Sequence, residues 1–181
     1  MARVQVALLR GVNVGGKNKV PMKPLREALV ARGFAGVRTL IQSGNIVWKV
    51  GESTPSNAAQ IIENILQESF SVNTPVAVLS LDKVRQISQA VPFEVQNIDP
   101  RFVAVGVCTG PPRAGAVLDP DRSPDDRFVL DGDVIYLHYT KGAARSKLSA
   151  AWFDRGLGTT TTFRNWRTWG KLQALAESLA S

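Results

Sequence analysis

Hydrophobic and polar positions in the first 81 residues switch repeatedly between the period of a strand and that of a helix. Short apolar runs rich in β-branched residues predict four strands, Val4–Leu9, Val37–Gln42, Ile46–Val50 and Val76–Leu81. Apolar residues at helical spacing predict two helices, one opened by Pro21 and Met22 and stopped by Gly33, the other ending near Ser71. The order β-α-β-β-α-β is that of a ferredoxin-like unit.

The same order recurs, with a weaker pattern, in the second half of the chain. Strands are predicted at Phe102–Cys108, Arg127–Leu130, Val134–Tyr139 and Thr159–Phe163. Helices are predicted from Asp82, as N-cap, to about Val91, and at Ser146–Phe153 and Asn165–Leu179. Residues 114–118 fit a short, poor helix, although the proline-rich stretch around them also fits a loop.

Two successive runs of the order β-α-β-β-α-β predict an α+β fold of two tandem ferredoxin-like halves with antiparallel sheets and a C-terminal helix. Residues 1–81 form the half that carries a Gly- and Lys-rich loop. Residues 82–99 form a bridging helix and linker, and residues 100–181 form the second half with the C-terminal helix. A chain of 181 residues is long enough to bury a core of this kind.

Positive charge is concentrated at the start of the chain, which bears on the choice of partner. The chain has 22 Lys and Arg against 15 Asp and Glu, a net charge of +7. Residues 1–50 hold nine of the basic residues and one acid, whereas residues 51–100 hold two basic and six acidic residues. A basic first segment fits an anionic partner without demanding one.

A loop rich in glycine, asparagine and lysine follows the first predicted strand and precedes the first helix. Loop amides, a helix N-terminus and cationic side chains together suit an anion. In a ferredoxin-like unit the first strand ends at the edge where strands two and three turn, so this loop is expected beside the tip of that hairpin. The candidate anion-binding residues are Arg10, Asn13, Gly15, Gly16, Lys17, Asn18, Lys19, Ser43, Gly44 and Asn45.

An ordinary turn explains the same residues about equally well. Gly15 and Gly16 can serve only to turn the chain, with Lys17 and Lys19 solvated. The glycine spacing and the Lys-Ser/Thr pair of a P-loop are absent from the sequence, and so is the GxGxxG pattern. Both interpretations stay open on the sequence.

A second basic edge is predicted where the last strand ends near the start of the helix before it. Its residues are Lys141, Arg145, Ser146, Lys147, Arg164, Asn165, Trp166 and Arg167, with Ser146 as the expected N-cap. Arginines beside exposed indoles stack on bases or bind phosphates. Trp166 and Trp169 also fit a buried stripe of the last helix. Burial is favoured for Trp169 and left open for Trp166.

No catalytic or metal-binding constellation is visible in the sequence. Cys108 is the only cysteine, which excludes an intramolecular disulfide, and its apolar run is typical of a buried residue. The only histidine, His138, alternates within a strand pattern. The aspartates from Asp119 to Asp133 fit solvated loops, because EF-hand spacing is missing. We predict no metal and no cofactor, and leave open whether the protein is an enzyme.

Targeting and membrane patterns are not found in the sequence. The first residues lack the basic head and apolar core of a signal peptide, and no apolar run approaches the roughly 18–20 residues that span a bilayer. We expect a cytoplasmic protein without a membrane partner. An anionic small molecule or a nucleic acid is the expected ligand, and the oligomeric state, monomer or weak dimer, is left open.

Two groups of residues resemble the signatures of a known bacterial family. The first is Leu8–Met22 with Gln42–Asn45, and the second is Arg145–Leu148 with Arg164–Thr168. Both are similar to the family called domain of unknown function 1697, and the resemblance covers nearly the whole chain. It implies an α+β fold of two ferredoxin-like halves, and no function. The chain departs from the family at Phe163, where a small residue is usual before Arg-Asn-Trp.

Three functions remain compatible with these patterns. The favoured one is a protein that binds an anionic ligand (a nucleotide, a nucleic acid or a phosphometabolite) at the edge formed by the 10–19 loop and the 43–45 hairpin. One alternative is a small enzyme that acts on a phosphorylated or carboxylated metabolite at the same edge. The other is a protein-interaction module with no chemistry.

Overall fold

The structure is a computed structural model that describes residues 2–181. Two compact units are distinguished by their internal contacts, one comprising residues 2–85 with residues 171–181, the other comprising residues 86–170. The division of the chain at residues 81 and 99 stays a prediction.

The first four strands and two helices occur in the predicted order. They are β1 (Val4–Leu9), α1 (Met22–Ala31), β2 (Ala35–Leu40), β3 (Asn45–Lys49), α2 (Ala58–Phe70) and β4 (Val76–Ser80). The strands form a sheet of order β2-β3-β1-β4 in which all neighbours are antiparallel. This order, with a helix in each crossover, is that of a ferredoxin-like unit.

The remaining strands form a second sheet with the same order of strands. The elements are α3 (Leu81–Gln89), β5 (Val103–Cys108), β6 (Arg127–Asp131), β7 (Val134–His138), α4 (Ala150–Leu157), β8 (Thr161–Asn165) and α5 (Trp166–Ala180), with one-turn 3₁₀ helices at Val95–Asn97 and Ala143–Arg145. The sheet order is β6-β7-β5-β8, again antiparallel throughout. The predicted α+β fold of two tandem ferredoxin-like halves is confirmed.

The second half departs from the first between β5 and β6. Residues 109–126, all of them described, contain turns and irregular chain but no helix, so of the two readings of residues 114–118 the loop is the one found. Proline lacks a backbone N–H and its ring clashes with a preceding helical turn. This segment contains four prolines, Pro111, Pro112, Pro120 and Pro124.

Two helices start from caps other than the predicted ones. Ser80, rather than Asp82, accepts a hydrogen bond at 3.1 Å from the third amide of α3. Ser149, rather than Ser146, accepts one at 3.2 Å from the Trp152 N–H of α4. In each case the serine lies one residue before the helix, where its Oγ reaches the third amide.

The apolar stripes of α1 and α2 lie buried against one face of the first sheet. Leu25 and Leu29 of α1 and Ile62 and Ile65 of α2 belong to one buried cluster with Leu9 of β1. Complete burial of such a side chain stabilises the fold by about 1.5–3 kcal/mol. The helices are therefore held mainly by this core, since isolated helices of 10 and 13 residues are marginal in water.

Helix α1 ends at a left-handed glycine, as predicted. Gly33 has φ +89°. Its N–H donates to the Val30 carbonyl at 3.1 Å and the Phe34 N–H donates to the Leu29 carbonyl at 3.2 Å, which is a Schellman motif. A Cβ at Gly33 would lie 2.8 Å from the carbonyl oxygen of Ser53. Both the backbone angle and the available space therefore require glycine.

We predict that Gly33→Ala lowers the free energy of unfolding by at least about 1–2 kcal/mol, the cost of a left-handed L-residue. Urea denaturation measures the change. Gly51→Ala is the matched control, because a Cβ there meets no atom within 4 Å and the backbone angle is ordinary. It should change stability by less than about 0.5 kcal/mol. Equal losses in the two variants would contradict the interpretation.

The large side chain of Phe163 is accommodated by a glycine on the neighbouring strand. Phe163 of β8 lies directly opposite Gly106 of β5. A Cβ at Gly106 would overlap the Phe163 ring, at 2.7 Å from Cζ. The ring also packs against Phe153 of α4, with centroids 5.3 Å apart. Gly106 thus leaves room for Phe163, and an aromatic ring covering a strand glycine protects its backbone.

We predict that Gly106→Ala and Phe163→Ala are coupled. Alanine at 106 forces the Phe163 ring out of its contacts, and overpacking of this kind typically costs about 1–3 kcal/mol. With Phe163→Ala already present, the additional cost should fall by at least about 1 kcal/mol. Denaturation of the four proteins of this double-mutant cycle gives the coupling energy, and strict additivity would refute the pairing.

Candidate functional site

The 10–19 loop is shaped by a tight turn at its tip. The Lys17 N–H donates to the Val14 carbonyl at 3.1 Å. Gly15 and Gly16 between them have φ +58° and +75°. Two consecutive positive φ angles are typical of a type I′ turn, which few residues other than glycine and asparagine adopt readily. The two glycines are therefore needed for the turn, whatever the loop binds.

The side chain of Asn13 ties this loop to the β2–β3 hairpin. Its Nδ2 donates to the Gln42 carbonyl at 2.7 Å and to the Val20 carbonyl at 2.9 Å. Its Oδ1 accepts from the Val20 N–H at 2.8 Å. Asn13 itself has φ +55°, a conformation that asparagine tolerates better than most residues. The loop and the hairpin tip thus lie side by side, as the topology led us to expect.

The hairpin tip is packed closely against the end of β1. The Leu9 N–H donates to the Gly44 carbonyl at 2.8 Å, and a Cβ at Gly44 would lie 2.6 Å from the Leu9 Cβ. Asn45 is fully buried and its Nδ2 donates to the Ser43 Oγ at 3.1 Å and to the Leu40 carbonyl at 3.0 Å. Among the hairpin candidates, Gly44 and Asn45 are therefore buried residues that fix the conformation of the tip.

The exposed candidates are the loop lysines. Lys17 and Lys19 are exposed, whereas Arg10 is half-buried. The Asn18 side chain is used locally, because its Nδ2 donates to the Gly11 carbonyl at 3.0 Å. Within residues 2–181, neither lysine forms an ion pair with a carboxylate. The positive charge of these two lysines is therefore not neutralised by an ion pair with any acid of the described chain.

The N-terminus of α1 offers fewer backbone N–H groups to an anion at this edge than the N-terminus of an ordinary helix does. Pro21 caps the helix without a side-chain hydrogen bond, and the first turn contains no acidic residue. An α-helix normally leaves four N–H groups without an intrahelical partner. Pro24, in the first turn, has no N–H to offer. The lysines, rather than the helix terminus, carry most of the positive potential here.

At the second basic edge, two of the cations are engaged with the protein. Arg164 is only 8% exposed, and burial lowers the pKa of its guanidinium to about 10. Its Nη1 donates to the Thr162 Oγ1 at 3.1 Å and to the Phe163 carbonyl at 2.9 Å. Lys141 pairs with Asp125 at 2.6 Å. The buried Arg164 side chain therefore hydrogen-bonds to its own strand, β8.

Ser146 helps to satisfy a buried carboxylate. Burial by itself raises the pKa of Asp126, but hydrogen bonds from Ser146, from Ser123 and from the Thr140 N–H outweigh it and hold that pKa below its ordinary value. The Ser123 Oγ lies at 2.7 Å and the Thr140 nitrogen at 3.0 Å. Asp126 is 8% exposed. This member of the aspartate-rich segment is therefore structural, and not a solvated loop residue as expected.

The other residues of the second basic edge are exposed, half-buried or part of a helix cap. Arg145, Lys147 and Arg167 are exposed. The Asn165 Oδ1 accepts from the third amide of α5 at 2.8 Å and so caps that helix. Trp166 is half-buried. The other indole, Trp169, is fully buried as predicted, and its Nε1–H donates to the Ser88 Oγ at 2.9 Å.

Two cavities lie outside the predicted site residues. One of about 360 Å³ in the first unit is lined by Arg3, Gln5, Asp82 and Arg85, among others. Another of about 400 Å³ in the second unit is lined by residues that include His138. No residue of the 10–19 loop or the 43–45 hairpin lines either cavity. Residues 14–19 at the tip of the loop are all exposed, so this part of the edge is an open surface.

Sequence reasoning missed the cavity beside His138, although one signal pointed toward it. The hairpin signal Asp131-Gly132-Asp133 sets the register of two strands and so places Arg127 directly opposite His138. Phe93, which completes the cavity, lies in an irregular segment whose position no periodicity reveals.

Metal and thiol chemistry find little support in the side chains that are described. Across residues 2–181, no three His, Cys, Asp or Glu side chains form a group that could hold a metal ion. Burial raises the pKa of Cys108 to about 11, which leaves the thiol protonated at neutral pH. None of the helices in the same range has the length and apolar content needed to cross a bilayer.

We predict that Asn13→Asp opens the 10–19 loop. Aspartate keeps an acceptor for the Val20 N–H but turns the donor group toward the Gln42 and Val20 carbonyls into a carboxylate oxygen. Loss of these two bonds should lower the free energy of unfolding by about 1–3 kcal/mol, measured by urea denaturation. Asn73→Asp is the control, since Asn73 is exposed. An equally small change in both variants would contradict the role given to the Asn13 amide.

Comparisons with known proteins agree with this fold. Curated proteins give no match. A solved structure, described as that of the conserved bacterial protein SP0830 from Streptococcus pneumoniae, is similar with a TM-score of 0.71 and 23% identity over 97% of this chain and 99% of that chain. At this identity the likeness concerns the fold alone. The profile of the family described as "Protein of unknown function (DUF1697)" matches residues 1–136, well over half of the chain. The chain belongs to this family.

Proposed function

We propose that the protein binds an anionic ligand at the edge formed by the 10–19 loop and the 43–45 hairpin. The observation that carries the proposal is the pair of exposed lysines, Lys17 and Lys19, in a loop that Asn13 ties to the hairpin. A cationic loop that is already ordered binds an anion at a lower entropic cost than a mobile one.

The charge distribution supports the same proposal. Residues 1–50, which contain the whole edge, hold nine basic residues and one acid. Such an excess attracts anions over a Debye length of about 8–10 Å at physiological salt. Because the two loop lysines lack acidic partners within the described residues, binding an anion breaks no ion pair of theirs.

The exposed position of the edge favours one class of anion. Small molecules are usually bound in concave cavities that bury most of their surface. Residues 14–19 of the loop are all exposed, so a small molecule bound there keeps much of its surface in water. An extended polyanion, such as a single-stranded nucleic acid, needs no enclosure, because its phosphates are contacted one at a time. We therefore place nucleic acid ahead of a phosphometabolite as the ligand.

We predict that Lys17→Gln/Lys19→Gln weakens binding to a fluorescein-labelled 20-nucleotide oligothymidylate in anisotropy titrations at 50–200 mM salt. Loss of two phosphate contacts should reduce the slope of log K against log salt by about 1.4, since each contributes about 0.7 on a single strand. Inorganic triphosphate, added as a competitor, tests whether a compact anion occupies the same edge.

The matched control is Lys49→Gln/Lys171→Gln, which removes the same charge from exposed positions outside the loop. Its salt slope should stay close to that of the parent protein. Equal slopes in both double variants would show that binding follows net charge and not this edge. Absence of binding by the parent protein at 50 mM salt would refute the nucleic-acid form, and absence of triphosphate binding as well would refute the proposal.

A further inference from the structure

The cavity beside His138 gathers polar side chains that the proposed function does not use. Its volume is about 400 Å³, which lies within the usual range for small-molecule sites. All of its lining residues belong to the second unit, residues 86–170. The lining includes Phe93, Glu94, Asn97, Arg127 and His138. It shares no residue with the 10–19 loop or the hairpin.

Strand pairing and ring contacts hold the side of this cavity that carries Arg127 and His138. Arg127 and His138 lie directly opposite each other on β6 and β7. The Arg127 guanidinium carbon lies 5.8 Å from the centre of the Phe93 ring, a cation–π distance. The His138 ring lies 5.8 Å from the same ring, tilted by 52°. One aromatic ring therefore orients both nitrogen-rich side chains.

The hydrogen-bonding groups of the cavity are only partly used within the protein. The Asn97 Nδ2 donates to the Glu94 Oε2 at 3.0 Å. For the guanidinium of Arg127 and the imidazole of His138, no hydrogen-bond partner occurs among residues 2–181. An arginine fork with free N–H groups matches the two oxygens of a carboxylate or a phosphate. Imidazole adds a further donor next to it.

Glu94 restricts the kind of anion that fits. A ligand that carries only negative charge meets repulsion from this carboxylate, whereas an ammonium group placed beside the oxyanion is attracted to it. We propose that this cavity binds a small zwitterion, with its carboxylate or phosphate at Arg127 and His138 and its ammonium at Glu94. Recognition therefore depends on two opposite charges that line one cavity.

The chain offers a specific reporter for this site, because His138 is its only histidine. The imidazole nitrogens of the ¹⁵N-labelled full chain are followed by NMR at fixed pH and ionic strength during titration with glycine, phosphoethanolamine or acetate. Glycine and phosphoethanolamine share an ammonium group and differ in the oxyanion, and acetate lacks the ammonium. A saturable shift is expected with at least one zwitterion, at concentrations at least about tenfold lower than with acetate.

Variants assign the effect to named groups. Arg127→Gln should weaken zwitterion binding at least about tenfold, as expected for loss of hydrogen bonds from a charged donor. Arg127→Lys keeps the positive charge but not the planar fork of N–H groups. Its affinity for the zwitterion should lie between those of the parent and of Arg127→Gln. Glu94→Gln should reduce the preference for glycine over acetate. Arg155→Gln, on the exposed surface of α4, is the control and should bind as the parent does.

Backbone amide spectra establish that each variant is folded. A linear drift of the His138 signals that is the same for all three probes, or saturable binding that persists unchanged in Arg127→Gln and Arg127→Lys, would overturn the proposal. Acetate binding as tightly as glycine would overturn the role of Glu94. The Lys17→Gln/Lys19→Gln protein should respond like the parent, so this proposal and the proposed function fail separately.

Discussion

The pairing of β1 with a neighbour on each side is the constraint from which the candidate edge follows. Leu8 lies opposite Asn45 of β3, and Leu9 lies opposite Val76 of β4. Because all of these pairs are antiparallel, the chain that leaves β1 must emerge beside the turn that precedes β3. The position of the 10–19 loop is therefore set by backbone hydrogen bonding, before any side chain of the loop contributes.

Most polar side chains at this edge serve the fold. The amides of Asn13, Asn18 and Asn45 all donate to backbone carbonyls, groups that need a hydrogen-bond partner once they are shielded from water. Asparagine suits this task because its short side chain reaches nearby backbone and it tolerates positive φ. In the proposed function the lysines contact the ligand, while the asparagines fix the course of the loop that carries them.

The topology was predictable because it rests on periodicity and order, which are local properties of the sequence. Helix caps were less predictable, because Ser146 and Ser149 both precede the same apolar stripe and only the tertiary structure selects between them. The adjacency of loop and hairpin followed from topology, whereas the burial of Asn45 did not. The cavity beside His138 depends on Phe93, whose irregular segment carries no repeating pattern.

Backbone strain in the β2–β3 hairpin lies next to the hydrogen bonds of Asn13. Ile41 has φ +51° and is 52% exposed. A β-branched residue rarely adopts this conformation, and a left-handed L-residue costs about 1–2 kcal/mol. The residue after it, Gln42, is the one whose carbonyl accepts from Asn13 at 2.7 Å. A hydrogen bond that fixes Gln42 limits the relaxation of Ile41, so the contact that orders the loop also holds the hairpin in its strained form.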